Sequence, residues 1–280
     1  MCLFCISKSS HAPFQGGMRR AFLLAGVGAA ATPVLAQVDV GKTSAMARLV
    51  PAGTLEKSAA QQYSQMMAEA KAQGALASPN NAQLQRLRAI AQRLVPHTPQ
   101  WNERAPGWKW EVNLIGSKQI NAFVMPGGKI VFYTGILDQL QLTDDEIAMV
   151  MGHEMAHALR EHARERLAKS QVTGMGLSLG AQLLGLGDMG NLAANLGTEL
   201  LTLQYSRSDE SEADLVGLEI AARAGYDPKA AITLWQKMAK ATGDKGGMAF
   251  LSSHPSGPNR IKELEANLPK VESLYRRSPR

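Results

Sequence analysis

The chain has 280 residues, a formal charge of +6 at pH 7, 45% hydrophobic residues and two cysteines, Cys2 and Cys5. That length is enough for one ample core, and the position of both cysteines excludes a disulfide scaffold or a thiol nucleophile beyond residue 5. Lys8, Arg19 and Arg20 stand before residue 37 with no acid among them, and leaving out these three cations lowers +6 to +3, so the basic charge is no argument for a nucleic-acid partner.

The first 36 residues read as a signal peptide. Arg19 and Arg20 precede an apolar run from Ala21 to Leu35, and Val34-Leu35-Ala36 offers small residues for cleavage before Gln37. The run is shorter than the roughly 20 residues a membrane span needs. Arg19-Arg20-Ala21-Phe22-Leu23 resembles a twin-arginine export signal, and a general secretory signal fits as well. Met18 competes with Met1 as the start, and no cysteine at the cleavage point offers a lipid anchor. The expectation is a leader over 1–36 and one domain over 37–280, delivered to the periplasm.

Residues 55–73 and 81–95 read as amphipathic helices. Leu84, Leu87, Ile90 and Leu94 recur at helical spacing, and Pro96 and Pro99 stop the second helix. Trp108, Trp110, Val112 and Leu114 alternate with polar residues, which predicts a half-buried strand. Residues 120–125 and 129–133 flank Pro126-Gly127-Gly128, a hairpin signal. An exposed edge strand in such a hairpin can pair with an extended polypeptide, so Asn121, Ala122 and Phe123 are candidates for holding substrate main chain. The alternative is a purely structural hairpin.

A helix is predicted over 143–166. Thr143 and Glu146 form a capping box, and Asp144 and Asp145 suit the positive end of the helix dipole. From Ile147 to Leu159 the only charge is Glu154, which implies burial; charge returns at Arg160, where the helix should emerge. His162, about 140° around that helix from His157, should then lie on the solvated face. Between Lys169 and Glu199 the only charged residue is Asp188, and Gly185 and Gly187 interrupt the run. This segment reads as buried helix or as a mobile lid or membrane-facing patch, with any membrane-surface contact falling at 171–203. Further helices are predicted over 206–224, 228–241 and 257–267. Helices outnumber strands and do not alternate with them, so the expected fold class is α+β, a mostly helical domain with a small antiparallel hairpin.

The chemistry is concentrated in His153-Glu154-Met155-Ala156-His157. Residues four apart on a helix lie about 40° apart on one face, so His153 and His157 can offer two nitrogens to one Zn²⁺. Glu154 projects from the edge of that face, where it is suited to take a proton from the attacking water. A catalytic zinc needs a third protein ligand. In Asp209-Glu210-Ser211-Glu212-Ala213-Asp214, Glu210 and Asp214 share a face while Glu212 points away by about 200°. Glu210 can complete the metal shell, and Asp214 can hold the far nitrogen of a ligating histidine.

His153-Glu154-x-x-His157 followed by Glu210-x-Glu212-Ala213-Asp214 resembles metallopeptidase family 48, the group of CAAX prenyl proteases, HtpX heat-shock proteases and BepA-like periplasmic proteases. Asn121-Ala122-Phe123 through Gly128, Thr134 to Leu137, and Ser253-His254-Pro255 with Arg260 match it too, over about Leu84 to Leu268. The transmembrane helices of the prenyl proteases and HtpX are not evident. The resemblance implies a gluzincin-like zincin fold, one zinc per chain on His153, His157 and Glu210, and Glu154 as general base. It also draws attention to His254, which either donates to the oxyanion with help from Arg260 or occupies the open zinc position at rest. No G-x-S-x-G arrangement suggests a serine nucleophile. The expected function is an exported zinc endopeptidase acting on misfolded or misassembled envelope or outer-membrane proteins. The rival is a periplasmic chaperone or scaffold in which zinc is structural or cleavage is rare.

Overall fold

The computed structural model describes residues 38–174, 204–245, 249–254 and 259–278. The leader, residues 175–203 of the apolar segment and Pro255 lie outside them.

Two helices come first, α1 (Ala52–Ala72) and α2 (Ala82–Leu94). Asn81 caps α2 through its side chain, and Leu84, Leu87, Ile90 and Leu94 bury the predicted face. Strands β1 (Glu111–Ile115), β2 (Ala122–Met125) and β3 (Lys129–Tyr133) form one sheet in the order β1-β3-β2. The hairpin β2–β3 is antiparallel as predicted, and its turn needs glycine because Gly127 and Gly128 both have positive φ. β1 joins the far side of β3 in parallel, a pairing that no local spacing announces. β1 is shorter than the expected strand. A 3₁₀ turn over Ala105–Gly107 occupies the chain just before it, and the ladder opens only where Glu111 N–H meets the Gly128 carbonyl at 3.0 Å. Trp108 instead donates its indole N–H to Glu56 Oε1 at 3.0 Å.

The rest is helical: α3 (Thr134–Leu140), α4 (Asp144–Leu159), α5 (His162–Gly174), α6 (Arg207–Arg223), α7 (Ala230–Lys245), α8 (Ala249–Ser253) and α9 (Arg260–Arg277). α4 is central, packed by α6, α2, α7 and β2, and every residue from Glu146 to Leu159 is buried. The capping box of Thr143 and Glu146 forms as predicted.

Two predicted boundaries are corrected. The helix over 143–166 is really two helices, because Arg160 ends α4 and Glu161 adopts a left-handed φ of 59° before α5 begins. The helix predicted to stop at 267 runs through Pro269 to Arg277. There Leu264, Val271 and Leu274 are buried, and that packing compensates for the hydrogen bond a mid-helix proline removes. Among the described residues, no helix is long and apolar enough to cross a membrane.

Candidate metal centre

The site exists because α4 and α6 touch backbone to backbone. A Cβ on Gly152 would stand 2.8 Å from the Gly217 carbonyl oxygen, and one on Gly217 would stand 2.6 Å from the His153 nitrogen. Only glycine at both positions lets the helices approach so closely. The approach lays the acidic first turns of α6 against the histidines of α4. α6 itself starts on a second capping box, Ser206 with Asp209, which fixes where Glu210 and Asp214 point.

His153, His157, Glu210 and His254 are all buried, and each offers one ligand atom such that these atoms lie within 4.8 Å of one another. His153 Nε2 and His157 Nε2 are 3.1 Å apart, and Glu210 reaches them at 3.5 and 3.3 Å. His254 Nδ1 closes the group, 3.0 Å from Glu210 Oε1 and 3.3 Å from His153 Nε2. Glu154 is buried beside it, and among the described residues nothing donates a hydrogen bond to its Oε1; His254 Nε2 stands 3.5 Å away.

These residues fit a zinc ion. Converging imidazole nitrogens and a carboxylate are a zinc donor set, and facing nitrogen lone pairs need a cation or a proton between them. The charge balance says the same. Burial alone would depress His153, but the carboxylates of Asp214 and Glu210 lift it to about 9, so this acidic surround draws positive charge onto an imidazole. Burial holds His157 well below the ordinary histidine value, leaving it neutral as a ligand must be. Burial also raises Glu154 above the usual carboxylate range.

Behind the ligands, His153 Nδ1 stands 2.9 Å from Asp214 Oδ1, the contact the spacing predicts. Arg260 differs from its expected place beside the oxyanion. Its guanidinium donates to Asp214, stands 2.9 Å from Glu210 Oε2 and lies 3.6 Å above the Trp235 ring. It is spent on holding two carboxylates and does not line the cleft. His162 is likewise corrected: it is buried, not solvated, because the break at Glu161 turns its Nδ1 to within 2.9 Å of His157 Nδ1. Glu212 points away from the metal ligands as predicted, toward Arg160.

A cleft of about 250 Å³ opens beside the site, lined by Asn121, Ala122 and Phe123 together with Glu154, Tyr205 and His254. β2 is the edge strand. Asn121 turns its carbonyl to β3, accepting from Tyr133 N–H at 3.1 Å, so the peptide groups of Ala122 and Val124 face away from β3, where Asn121 Oδ1 accepts the Ala122 N–H at 3.0 Å. Two aromatic residues that no spacing singles out pack on the histidines, and Tyr205 is the one that lines the cleft. Tyr205 stacks on His157 with ring centroids 3.9 Å apart, and Phe250 stacks on His254 at 4.5 Å.

A model of peptidase family M48 matches residues 81–268, a span holding every residue of this site. Mitochondrial metalloendopeptidase OMA1 of Schizosaccharomyces pombe is 39% identical over 166 residues, 59% of this chain and 48% of that protein. Metalloprotease LoiP of Escherichia coli is 30% identical over 158 residues, 53% of this chain and 58% of that protein. The beta-barrel assembly-enhancing protease of Yersinia pestis is 30% identical over 135 residues, 45% of this chain and 27% of that protein. The chain thus spans about half the length of the Schizosaccharomyces relative.

Proposed function

This chain belongs to peptidase family M48, and on that footing we propose that it is an exported zinc endopeptidase that removes misfolded or misassembled proteins of the cell envelope. The observation that carries the proposal is the convergence of two helices on one buried candidate metal site, with Glu154 at its mouth and, among the described residues, a strand edge without a partner strand along the cleft.

His153, His157 and Glu210 would hold the zinc. When bound, zinc supplies a Lewis acid that polarises the scissile carbonyl and makes water easier to deprotonate. Glu154 takes the proton of the attacking water, and its burial makes it a stronger base than an exposed carboxylate. As the water oxygen bonds the carbonyl carbon and the C–N bond breaks, Glu154 returns that proton to the leaving amine. Ala122 and Val124 turn N–H and C=O groups outward to an extended chain, with the Asn121 side chain releasing the Ala122 N–H as substrate pairs, which gives binding without sequence preference. That suits unfolded substrates. Export to the periplasm rests on the leader-like first 36 residues, and envelope substrates are supported by a relative whose name ties it to β-barrel assembly. Relatives named as mitochondrial place no limit on the chemistry.

Of the two roles open to His254, its closeness to Glu210 and His153 supports occupation of the metal site at rest. His254→Ala should then raise turnover, whereas an oxyanion donor would lose it.

The deciding experiment is digestion of an unfolded model protein by wild type and Glu154→Gln, with zinc content measured in both. Cleavage by wild type alone, at equal zinc, is expected. Zinc-replete wild type that binds unfolded protein but never cuts it would hand the function to the chaperone reading.

A further inference from the structure

The two ligating histidines are held from behind by different means. His153 meets a carboxylate directly, Asp214. His157 meets another histidine. Its Nδ1 stands 2.9 Å from His162 Nδ1, and both rings are buried. Two ring nitrogens at that distance cannot both carry a hydrogen, and two bare lone pairs would repel, so one donates to the other.

The direction of that bond follows from the rest of the site. His157 Nε2 faces His153 and Glu210, so it must be bare to ligate a metal, and the ring hydrogen of neutral His157 then sits on Nδ1. His162 Nδ1 is therefore the acceptor, which leaves the His162 hydrogen on Nε2. That nitrogen faces Glu212 Oε2 at 3.6 Å, a favourable electrostatic approach longer than a hydrogen bond. Glu212 is tied in turn to Arg160, whose Nη2 donates to the Gly41 carbonyl at 2.9 Å. The hydrogens therefore point toward Glu212 from both sides: Arg160 donates to it directly, and His157 donates to His162, whose Nε2–H faces it.

The backbone is bent to achieve this. On a continuous helix His162 would lie about 140° away from His157. The left-handed φ of 59° at Glu161, without a glycine there, ends α4 and swings the first residue of α5 back over the ligand. A non-glycine residue in that region signals a local constraint.

We propose that His162 is a positioning residue of the metal centre: by accepting the Nδ1–H of His157 it fixes the tautomer and ring plane that present Nε2 to the zinc. The inference rests on the zinc reading above. It concerns His157 alone, and Asp214 does the corresponding work for His153.

The test compares His162→Leu with His162→Asn. The two side chains have similar shape, but only asparagine places an acceptor oxygen near the position of Nδ1. Zinc affinity is read by competition with a chromogenic chelator, and the melting temperature of each zinc-free protein is measured beside it. The leucine variant should bind zinc about 10–100-fold more weakly, and asparagine should recover most of that loss at equal zinc-free stability. A leucine variant that binds zinc as tightly as wild type overturns the inference, and so does equal weakening of both variants. Wild-type protein without measurable zinc affinity would bring down the zinc reading itself, a result distinguishable from either.

Discussion

Ionisable side chains in the centre differ in what holds them, and that makes single substitutions informative. Among the described residues nothing donates to Glu154 Oε1, so Glu154→Gln removes the proposed base without stranding a donor on that oxygen. We expect kcat/KM to fall by about 10²–10⁴-fold with zinc content unchanged; a variant that keeps wild-type turnover would remove Glu154 from the reaction. Asp214 is different, since it meets His153 and receives Arg260. Asp214→Asn should weaken zinc binding by about 10–100-fold, measured by chelator competition. Unchanged affinity would show that Arg260 and packing alone orient His153. At this scale the sequence was informative where spacing on one helix decides geometry. His153, Glu154, His157 and Asp214 were legible for that reason, while His162 was not, because nothing between Arg160 and His162 is a recognised helix breaker.

At the scale of elements, the decisive contact is the crossing of α4 and α6 at Gly152 and Gly217. Gly217→Ala would drive a methyl into the backbone of His153, 2.6 Å from its nitrogen, with no flexible side chain able to yield. We expect a loss of about 3 kcal/mol or more and weakened zinc binding together; a stable variant with normal zinc affinity would refute the close crossing. The start of α4 makes a second prediction. Glu146 accepts from Thr143 N–H, from Thr233 at 2.8 Å and from Lys237 at 2.6 Å. Burial pushes its carboxyl up, but these bonds outweigh burial and hold it below the ordinary range. A depressed carboxylate adds stability above its unfolded pKa, and that contribution is lost as pH falls through the folded one. Glu146→Gln should therefore lower the urea midpoint at pH 7, by about 1–2 kcal/mol in stability. Its gap from wild type should narrow as pH drops below about 4. A gap independent of pH would mean that Glu146 acts through packing rather than charge. The free edge of β2 gives a third test. Ala122→Pro removes the outward N–H that Asn121 Oδ1 now accepts and should stop cleavage of unfolded protein while zinc binding persists; undiminished turnover would discard substrate pairing on that edge.

For the whole molecule, the proposed ligands come from helices far apart in sequence, so zinc binding and folding should be linked. Removing zinc with a chelator from protein held at free zinc about 100-fold above Kd should cost about 2.7 kcal/mol, and so lower the melting temperature by about 5–10 °C. A melting curve indifferent to chelation would argue that the centre is held entirely by the fold. The sequence by itself determined what repeats at short range: the faces of α1, α2 and α4, the capping box of Thr143 and Glu146, the β2–β3 turn and the metal motif on one helical turn. Those follow from local geometry, in which residue type and spacing leave few choices. The tertiary structure alone decided the parallel pairing of β1 on β3, the continuation of α9 through Pro269, the engagement of Arg260 with two carboxylates, and the turn that buries His162 against His157. The first three depend on partners far away in the chain, whose packing overrides local preference; the last depends on a left-handed Glu161 that its residue type does not announce.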